Sequence, residues 1–245
     1  MLILEDTRQV ENRHKIKHEK FRELGIQWNR TALYCGDYTL PADQSVCIDT
    51  KKDIAELIGD IQVKQMAKRD ILADISSICI INHINGEIAD KIFHVICDDD
   101  TDRFPEKEIN DICFANHIPE GVISQFQSLY VKRHGFFHRG LKRAQNSGIQ
   151  LYILVDNKEG VTDIDSLFRW HNPRLDIMVN SSEVIGYTRN HYPRYRKVRK
   201  YPHAMAGETL AKACLTMEKR YHVKFLFCKP SESAETILNL LTKKE

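Results

Sequence analysis

The chain has 245 residues, with 36 Lys and Arg against 34 Asp and Glu and 42% hydrophobic residues, enough for a sizeable core in one large domain or two small ones. Charge this close to balance excludes a grip on polyanions by the average surface, so any nucleic-acid partner must be held by a local patch. The seven cysteines (35, 47, 79, 97, 113, 214 and 228) form no C-x-x-C pair and are odd in number. They speak against a disulfide framework and for a reducing, cytoplasmic setting. "MLILEDTRQ" lacks the basic start and long apolar stretch of a signal peptide, and no apolar run reaches membrane-spanning length.

"LILED" predicts a buried strand ending at Asp6, and Val10 to Leu24 an amphipathic surface helix closed by Gly25. "IQWNRTALY" follows as a strand. A hairpin of "DYTL" and "SVCIDTK" turns around Pro41-Ala42-Asp43, and "KDIAELIGDI" begins a helix. From Gln62 to Val131 the expectations are a helix in "VKQMAKRDILADI", extended chain in "SSICIINH" and "KIFHVICDDD", and a helix in "PEGVISQFQSLYV". "FFHRGLKRAQNSG" predicts a helix, "IQLYILVDN" a buried strand, "GETLAKACLTMEKRY" a helix, "HVKFLFC" a strand and "SAETILNLLTKK" a last helix. No internal repeat or low-complexity linker is evident. Strands alternating with helices predict an α/β fold, a mixed central sheet flanked by helices. Residues 62–131 read as an insertion into it.

The hairpin "GDYTLPADQSVCIDTKK" sets Asp37 before one strand and Asp49 near the end of the next. Alternate residues of a strand share a face, so Asp49 and Lys51 point one way and Ile48 and Thr50 the other. Asp6 is the other early acid at a strand end. Carboxylates around a divalent ion plus a lysine form a toolkit for phosphodiester hydrolysis. Oxygen ligands suit Mg²⁺ or Mn²⁺, the ion activates water, and the ammonium offsets developing charge. Taken alone, a D-x-K on a strand reads as solvated hairpin charge and not as an enzyme's site.

The wider pattern resembles the XPF-type nuclease domain of the PD-(D/E)XK superfamily, whose motifs run D-x-R-E, then G-D, then V-E-R-K-x-x-x-D. Here these read Asp6-Thr7-Arg8-Gln9, Gly36-Asp37 and Ile48-Asp49-Thr50-Lys51. The later "FFHRGLKRAQNSGIQLYILVDN" is similar to the family's next helix and strand, ending at Asp156. The resemblance covers residues 2–60 and 134–157, and the layout looks closest to compact phage or prophage members. It implies a restriction-endonuclease-like core built from residues 1–61 and 132–160, with the insertion at 62–131 and a C-terminal α/β portion at 161–245. It also implies Asp37 and Asp49 as metal ligands, Lys51 as the catalytic lysine, Asp6 as a further acid at the metal, and Arg8 as a structural or phosphate-facing partner. Mg²⁺ or Mn²⁺ is the implied cofactor and DNA the implied substrate, structure-specific substrates included. Relatives are often dimeric, which leaves room for a homodimer. Gln9 replaces a glutamate, Asp49 is one methylene shorter than glutamate, Thr50 replaces arginine, and Ala55 stands where the trailing aspartate belongs, with Asp53 and Glu56 nearby.

"GYTRNHYPRYRKVRKYPHAMAG", residues 186–207, predicts a basic loop. It carries Arg189, Arg194, Arg196, Lys197, Arg199 and Lys200 with interleaved tyrosines, Tyr195 among them. Such a stretch suits phosphates, and its rings can stack on unpaired bases. The acid run at Asp98, Asp99, Asp100 and Asp102 reads as a solvated turn, because Arg103 and Ile109 stand where a calcium loop needs glycine and glutamate. "HGFFH" lacks the glutamate of a zinc H-E-x-x-H helix. Cys47, on the strand of Asp49, reads as a small buried thiol. The leading expectation is a metal-dependent DNA endonuclease. The rivals are an inactive DNA-binding module of the same fold, suggested by Gln9 and the short Asp49, and a protein-interaction factor whose basic loop meets an acidic partner.

Overall fold

The chain was analysed as a computed structural model, which describes residues 1–10, 14–63 and 65–243. Strand β1 (Leu2–Asp6) buries Ile3, Glu5 and Asp6. The helix expected from Val10 begins as α1 at Lys15 and runs to Glu23, with 11–13 outside the described residues. β2 (Gln27–Thr31) returns parallel to β1. A short β3 (Tyr38–Thr39) pairs antiparallel with both β1 and β4 (Val46–Lys51). α2 (Ile54–Ile61) starts at Asp53, whose carboxylate accepts the Glu56 N–H at 2.7 Å while Glu56 Oε2 accepts the Lys52 N–H at 2.7 Å. The Asp53 cap and the Glu56 bond to the residue before it fix where β4 stops and the helix begins.

Between Lys68 and His134 the structure departs from the expected mix of helix and extended chain. It forms four helices: α3 (Lys68–Ile81), α4 (Gly86–Ile96), α5 (Glu106–Ala115) and α6 (Glu120–His134). "SSICIINH" reads as extended because β-branched residues crowd a short apolar run, a pattern that periodicity alone cannot tell from a buried helix. The buried positions decide it: Ile71, Ile75 and Cys79 on α3, then Ala89, Ile92 and Ile96 on α4, fall at helical spacing. These helices share a core of their own with Ile109, Cys113, Phe126 and Tyr130.

The same segment contains an internal repeat, contrary to the sequence expectation. α3 and α5 each end in Asn-His-Ile, with His83 and His117 in the left-handed region at φ 55° and 54°. Ile84 N–H bonds Cys79 O at 2.8 Å, and Ile118 N–H bonds Cys113 O at 2.9 Å. His83 and His117 N–H bond Ile80 and Phe114 O, each at 3.2 Å. Asn82 and Asn116 side chains reach back to Ile78 and Ile112 carbonyls at 2.8 and 2.7 Å. Both helices therefore close in one Schellman motif built from the same three residue types, and two helical hairpins follow one another.

After α7 (Phe136–Asn146) and β5 (Gln150–Asp156) come a short α8 (Ile164–Arg169), β6 (Met178–Tyr187) and β7 (Pro193–Arg199). The expected basic loop is thus largely strand: β6 and β7 form a separate antiparallel ribbon. α9 (Gly207–Tyr221), β8 (Lys224–Cys228) and α10 (Ser233–Thr242) complete the chain. The main sheet has the mixed order β2-β1-β3-β4-β5-β8 and is flanked by helices. One face packs on residues from α2, α7, α8 and α9, including Leu57, Leu141, Leu167 and Leu210. The other packs on Phe21 of α1 and Ile237 and Leu241 of α10. β5 lies between parallel β4 and β8 and is buried almost continuously, as expected for a strand covered on both faces.

Helix α1 is pinned by a buried ion pair and a buried hydrogen bond. Lys17 Nζ reaches Asp156 Oδ2 at the end of β5 at 2.7 Å, and His18 Nε2 reaches Glu5 Oε2 of β1 at 2.8 Å. The His18 ring also stacks on Trp28 of β2, with centroids 4.6 Å apart. Removing one partner of such a pair strands the other charge in the core. Lys17→Ala should therefore lower stability by about 3–5 kcal/mol, whereas Lys17→Ala combined with Asp156→Ala should recover part of that loss. Urea unfolding of the two variants checks this.

Candidate active site

The ends of β1, β4 and β5 open into one cleft of about 470 Å³. Its lining includes Asp6, Asp37, Asp49, Lys51 and Asp156, with Arg8, Lys52, Arg143 and Lys158 also along it. Gly36 makes the approach of Asp37 feasible. It adopts φ +67°, and a Cβ there would sit 2.9 Å from Ile48 O, so a side chain meets both backbone strain and a clash. The Asp37 backbone bridges strands, donating N–H to Ile48 O at 2.7 Å and accepting the Asp6 N–H at 2.9 Å.

Asp37 is buried, and its Oδ2 accepts both the Thr50 N–H and the Thr50 Oγ1–H at 2.7 Å. Burial raises its pKa; the Thr50 bonds, the Lys51 charge and a bond from the Gln9 side chain oppose that without cancelling it. Asp49 keeps 23% of its side chain exposed, so water and solutes reach it. Burial pushes its carboxyl up to about 7, and the charges of Asp37 and Asp60 add to the effect against Lys51. Lys51 Nζ lies 2.9 Å from Asp49 Oδ1, 2.8 Å from Asp60 Oδ2 and 4.9 Å from the Phe137 ring centroid. Burial disfavours its charge, but Asp49 and Asp60 outweigh that and hold its pKa above the ordinary value. The ammonium therefore stays charged at neutral pH.

Asp6 also lines the cleft, but both its oxygens are engaged by Arg8 Nε at 2.9 Å, and Arg8 Nη2 bonds Asp6 Oδ2 and, at 2.9 Å, the Leu33 carbonyl. Asp156 is occupied by Lys17. Among the described residues no three His, Cys, Asp or Glu side chains form a metal-binding group. Asp37 and Asp49 line the same cleft, and the charge of Asp37 raises the Asp49 pKa, so these two carboxylates are the ones that could hold a cation together. Mg²⁺ is commonly held by one or two carboxylates while keeping waters and taking substrate phosphates. A proton-retaining, solvent-reachable Asp49 beside a second carboxylate has the chemistry such an ion would relieve.

Asp60 escapes sequence reasoning because it lies on α2, beyond the motif; the signal is an acid nine residues past Lys51 on the helix that follows it. Asp53 and Glu56, the acids near the expected trailing aspartate, serve as the helix cap. Cys35 and Cys47 are both buried, and the Cys47 thiol reaches Gln44 O at 3.8 Å, so Cys47 is no exposed nucleophile. All seven cysteines are buried and free. His134 ends α6 and bonds Ile96 O at 2.7 Å, whereas His138 lies on α7 across the Gly135 break, so the two do not share a helix face. Asp99 pairs with Arg133 at 2.7 Å and Lys68 at 3.0 Å, and Asp100 with Lys142 at 3.0 Å. Arg189, Arg194, Tyr195, Arg196, Lys197, Arg199 and Lys200 lie on or beside the β6–β7 ribbon and do not line this cleft. No helix among the described residues is long and apolar enough to cross a membrane.

No family model and no curated protein matches this chain. Among solved structures it is similar to XPF from Aeropyrum pernix, at 12% identity and a TM-score of 0.36, covering 98% of this chain and 63% of that one. It is also similar to XPF from Aeropyrum pernix in complex with DNA, at 13% identity and a TM-score of 0.37, covering 98% and 62%. The chain thus spans less than two thirds of the length of the structures it matches. At these values the likeness assigns no residue a role.

The raised carboxyl of Asp49 carries a pH signature. Its unfolded form releases the proton near an ordinary value of about 4, its folded form near 7. Across that window the folded state binds the extra proton, so stability falls as pH rises. Melting of the metal-free protein should drop from about pH 5 to about pH 8, and Asp49→Asn should flatten that drop. Calorimetry in chelator at both pH values measures it; an unchanged slope in the variant contradicts the assignment.

Proposed function

We propose that the chain is a divalent-metal-dependent endonuclease that hydrolyses DNA phosphodiester bonds. The observation that carries this reading is that Asp37, just before β3, and Asp49 and Lys51, 2.9 Å apart on β4, line one cleft open to a substrate. Asp37 and Asp49 would hold Mg²⁺ or Mn²⁺, with Asp6 a further acid at the site once released from Arg8. The bound ion would supply an activated water and positive charge against the phosphoryl oxygens. Lys51, kept charged between Asp49 and Asp60, would orient the attacking water or offset charge developing on the phosphate. Thr50 holds the Asp37 carboxylate in one orientation through two 2.7 Å bonds, which spares reorganisation at the moment of reaction. Arg8, Lys52, Arg143 and Lys158 along the cleft suit a polyanionic substrate. Arg189, Arg194, Arg196, Lys197, Arg199, Lys200 and Tyr195 would contact DNA outside it.

A second reading, an inactive DNA-binding module of the same fold, is favoured by the engagement of both Asp6 oxygens by Arg8. One assay separates the two. Purified protein is incubated with duplex, single-stranded and branched DNA in Mg²⁺, Mn²⁺ or chelator. Metal-dependent nicking is expected, and Lys51→Ala or Asp49→Asn should slow it by at least about a hundredfold with circular dichroism unchanged. Full activity of both variants refutes the catalytic assignment. Binding without cleavage in either metal establishes the second reading.

A further inference from the structure

The β6–β7 ribbon is exposed along almost its whole length on both faces. An isolated two-stranded hairpin is marginal in water, and this one also exposes Val179, Val184, Ile185, Tyr195 and Val198. Its roots, by contrast, are fixed. Buried Asn172 donates to Met205 O at 2.9 Å, tying together the chain before and after the ribbon. Gly207 presses so close to the Leu167 and Trp170 carbonyls that a Cβ would lie 2.4 and 2.2 Å from them. Gln62, two residues past Asp60 at the end of α2, donates to His203 O at 2.9 Å. The ribbon is therefore a built projection rooted beside the helix that grips Lys51.

Its charge identifies what would cover it. Residues 177–201 carry Arg189, Arg194, Arg196, Lys197, Arg199 and Lys200 against the single acid Glu183, a net charge of +5. The rest of the chain is then net −3, and the four-helix segment 68–134 is net −5. That segment is a poor surface for phosphates, and the ribbon is where a polyanion is attracted. Glu183 pairs with Arg196 at 2.9 Å, both more than half exposed, a contact that a phosphate can replace at little loss.

Geometry distinguishes a duplex groove from a single strand. Along β7, Tyr195, Lys197 and Arg199 share a face with Val184, Asn180 and Met178 opposite, whereas Arg196 and Val198 point to the other face with Val179. Cations thus stand on both faces. A stacking platform for single strands needs a sheet or core supporting its rings from behind, and this ribbon is exposed on both faces. A major groove about 12 Å wide admits a two-stranded β-ribbon and offers phosphates on both walls. We propose that the β6–β7 ribbon seats in the major groove of double-stranded DNA, with Arg196, Lys197 and Arg199 bridging to its two phosphate walls and Tyr195 facing the base edges.

This inference rests on the reading of DNA as substrate, and its test is made in chelator, where no cleavage is required. A labelled duplex, its single strand, and the same duplex carrying glucosylated hydroxymethylcytosine, which fills the major groove, are titrated with the full chain. The unmodified duplex should bind tightest. The triple change Arg196→Ala, Lys197→Ala and Arg199→Ala should weaken it at least about tenfold and reduce the salt slope by about 3. Its melting should match the wild type, since these side chains are exposed. Unchanged duplex binding by the triple variant, tighter binding of the single strand, or indifference to glucosylation overturns the proposal. Ribbon-dependent duplex binding without metal-dependent nicking upholds it and removes the catalytic reading. Nicking with a ribbon that proves dispensable for binding does the reverse.

Discussion

Two carboxylates brought close together at the central strands β3 and β4 are the constraint around which the rest of the cleft is arranged. Desolvation works against charge on both Asp37 and Asp49, and the charge of the first makes ionisation of the second harder still. Their surroundings compensate in part: Thr50 gives Asp37 a main-chain and a hydroxyl bond, Gln9 adds a side-chain bond, and Lys51 offsets Asp49. The compensation stops short, leaving Asp49 as a proton-retaining acid near neutrality. Gln9 stands where the resembled family has glutamate. Here it donates to Asp37, where a third carboxylate would have deepened the imbalance.

Holding those groups requires strands from distant parts of the chain. β4 and β5 pair in parallel with the whole four-helix segment between them. Such an excursion is tolerated because loop-closure entropy grows only slowly with length, and because the excursion buries its own apolar residues. α1 closes the opposite side through Lys17 and His18, so a helix densely charged in sequence contributes two buried polar side chains. Buried ion pairs add little net stability but penalise alternatives that leave one partner alone. The Lys17–Asp156 contact ties the end of β5 to the helix that follows β1.

Charge is partitioned across the molecule in a way its near-zero total conceals. The helical segment turns its acids outward and ties Asp99 and Asp100 to Arg133, Lys68 and Lys142. The ribbon carries its cations in solvent on a fixed base. Tyr201 at that base lies between Arg174 and Lys200, each 5.5 Å from its ring centroid.

From sequence alone, the α/β class, β1, β4, β5, β8, the helices around them and the grouping of Asp37, Asp49 and Lys51 were legible. Each follows from local pattern: apolar alternation, a capping residue, acids at strand ends, and an aspartate and a lysine two residues apart on one strand. The second half of α3 and the end of α4 were misread because short β-branched runs satisfy helix and strand templates alike until burial on one face chooses between them. The Asn-His-Ile repeat stands in the sequence, but its meaning as two matching helix ends shows only once His83 and His117 are seen in the left-handed region. Asp60 against Lys51, Arg8 across Asp6 and Lys17 on Asp156 were decided only in three dimensions. They depend on how helices dock on a sheet, and the pairing of a buried charge is settled by whichever opposite charge that docking brings within reach.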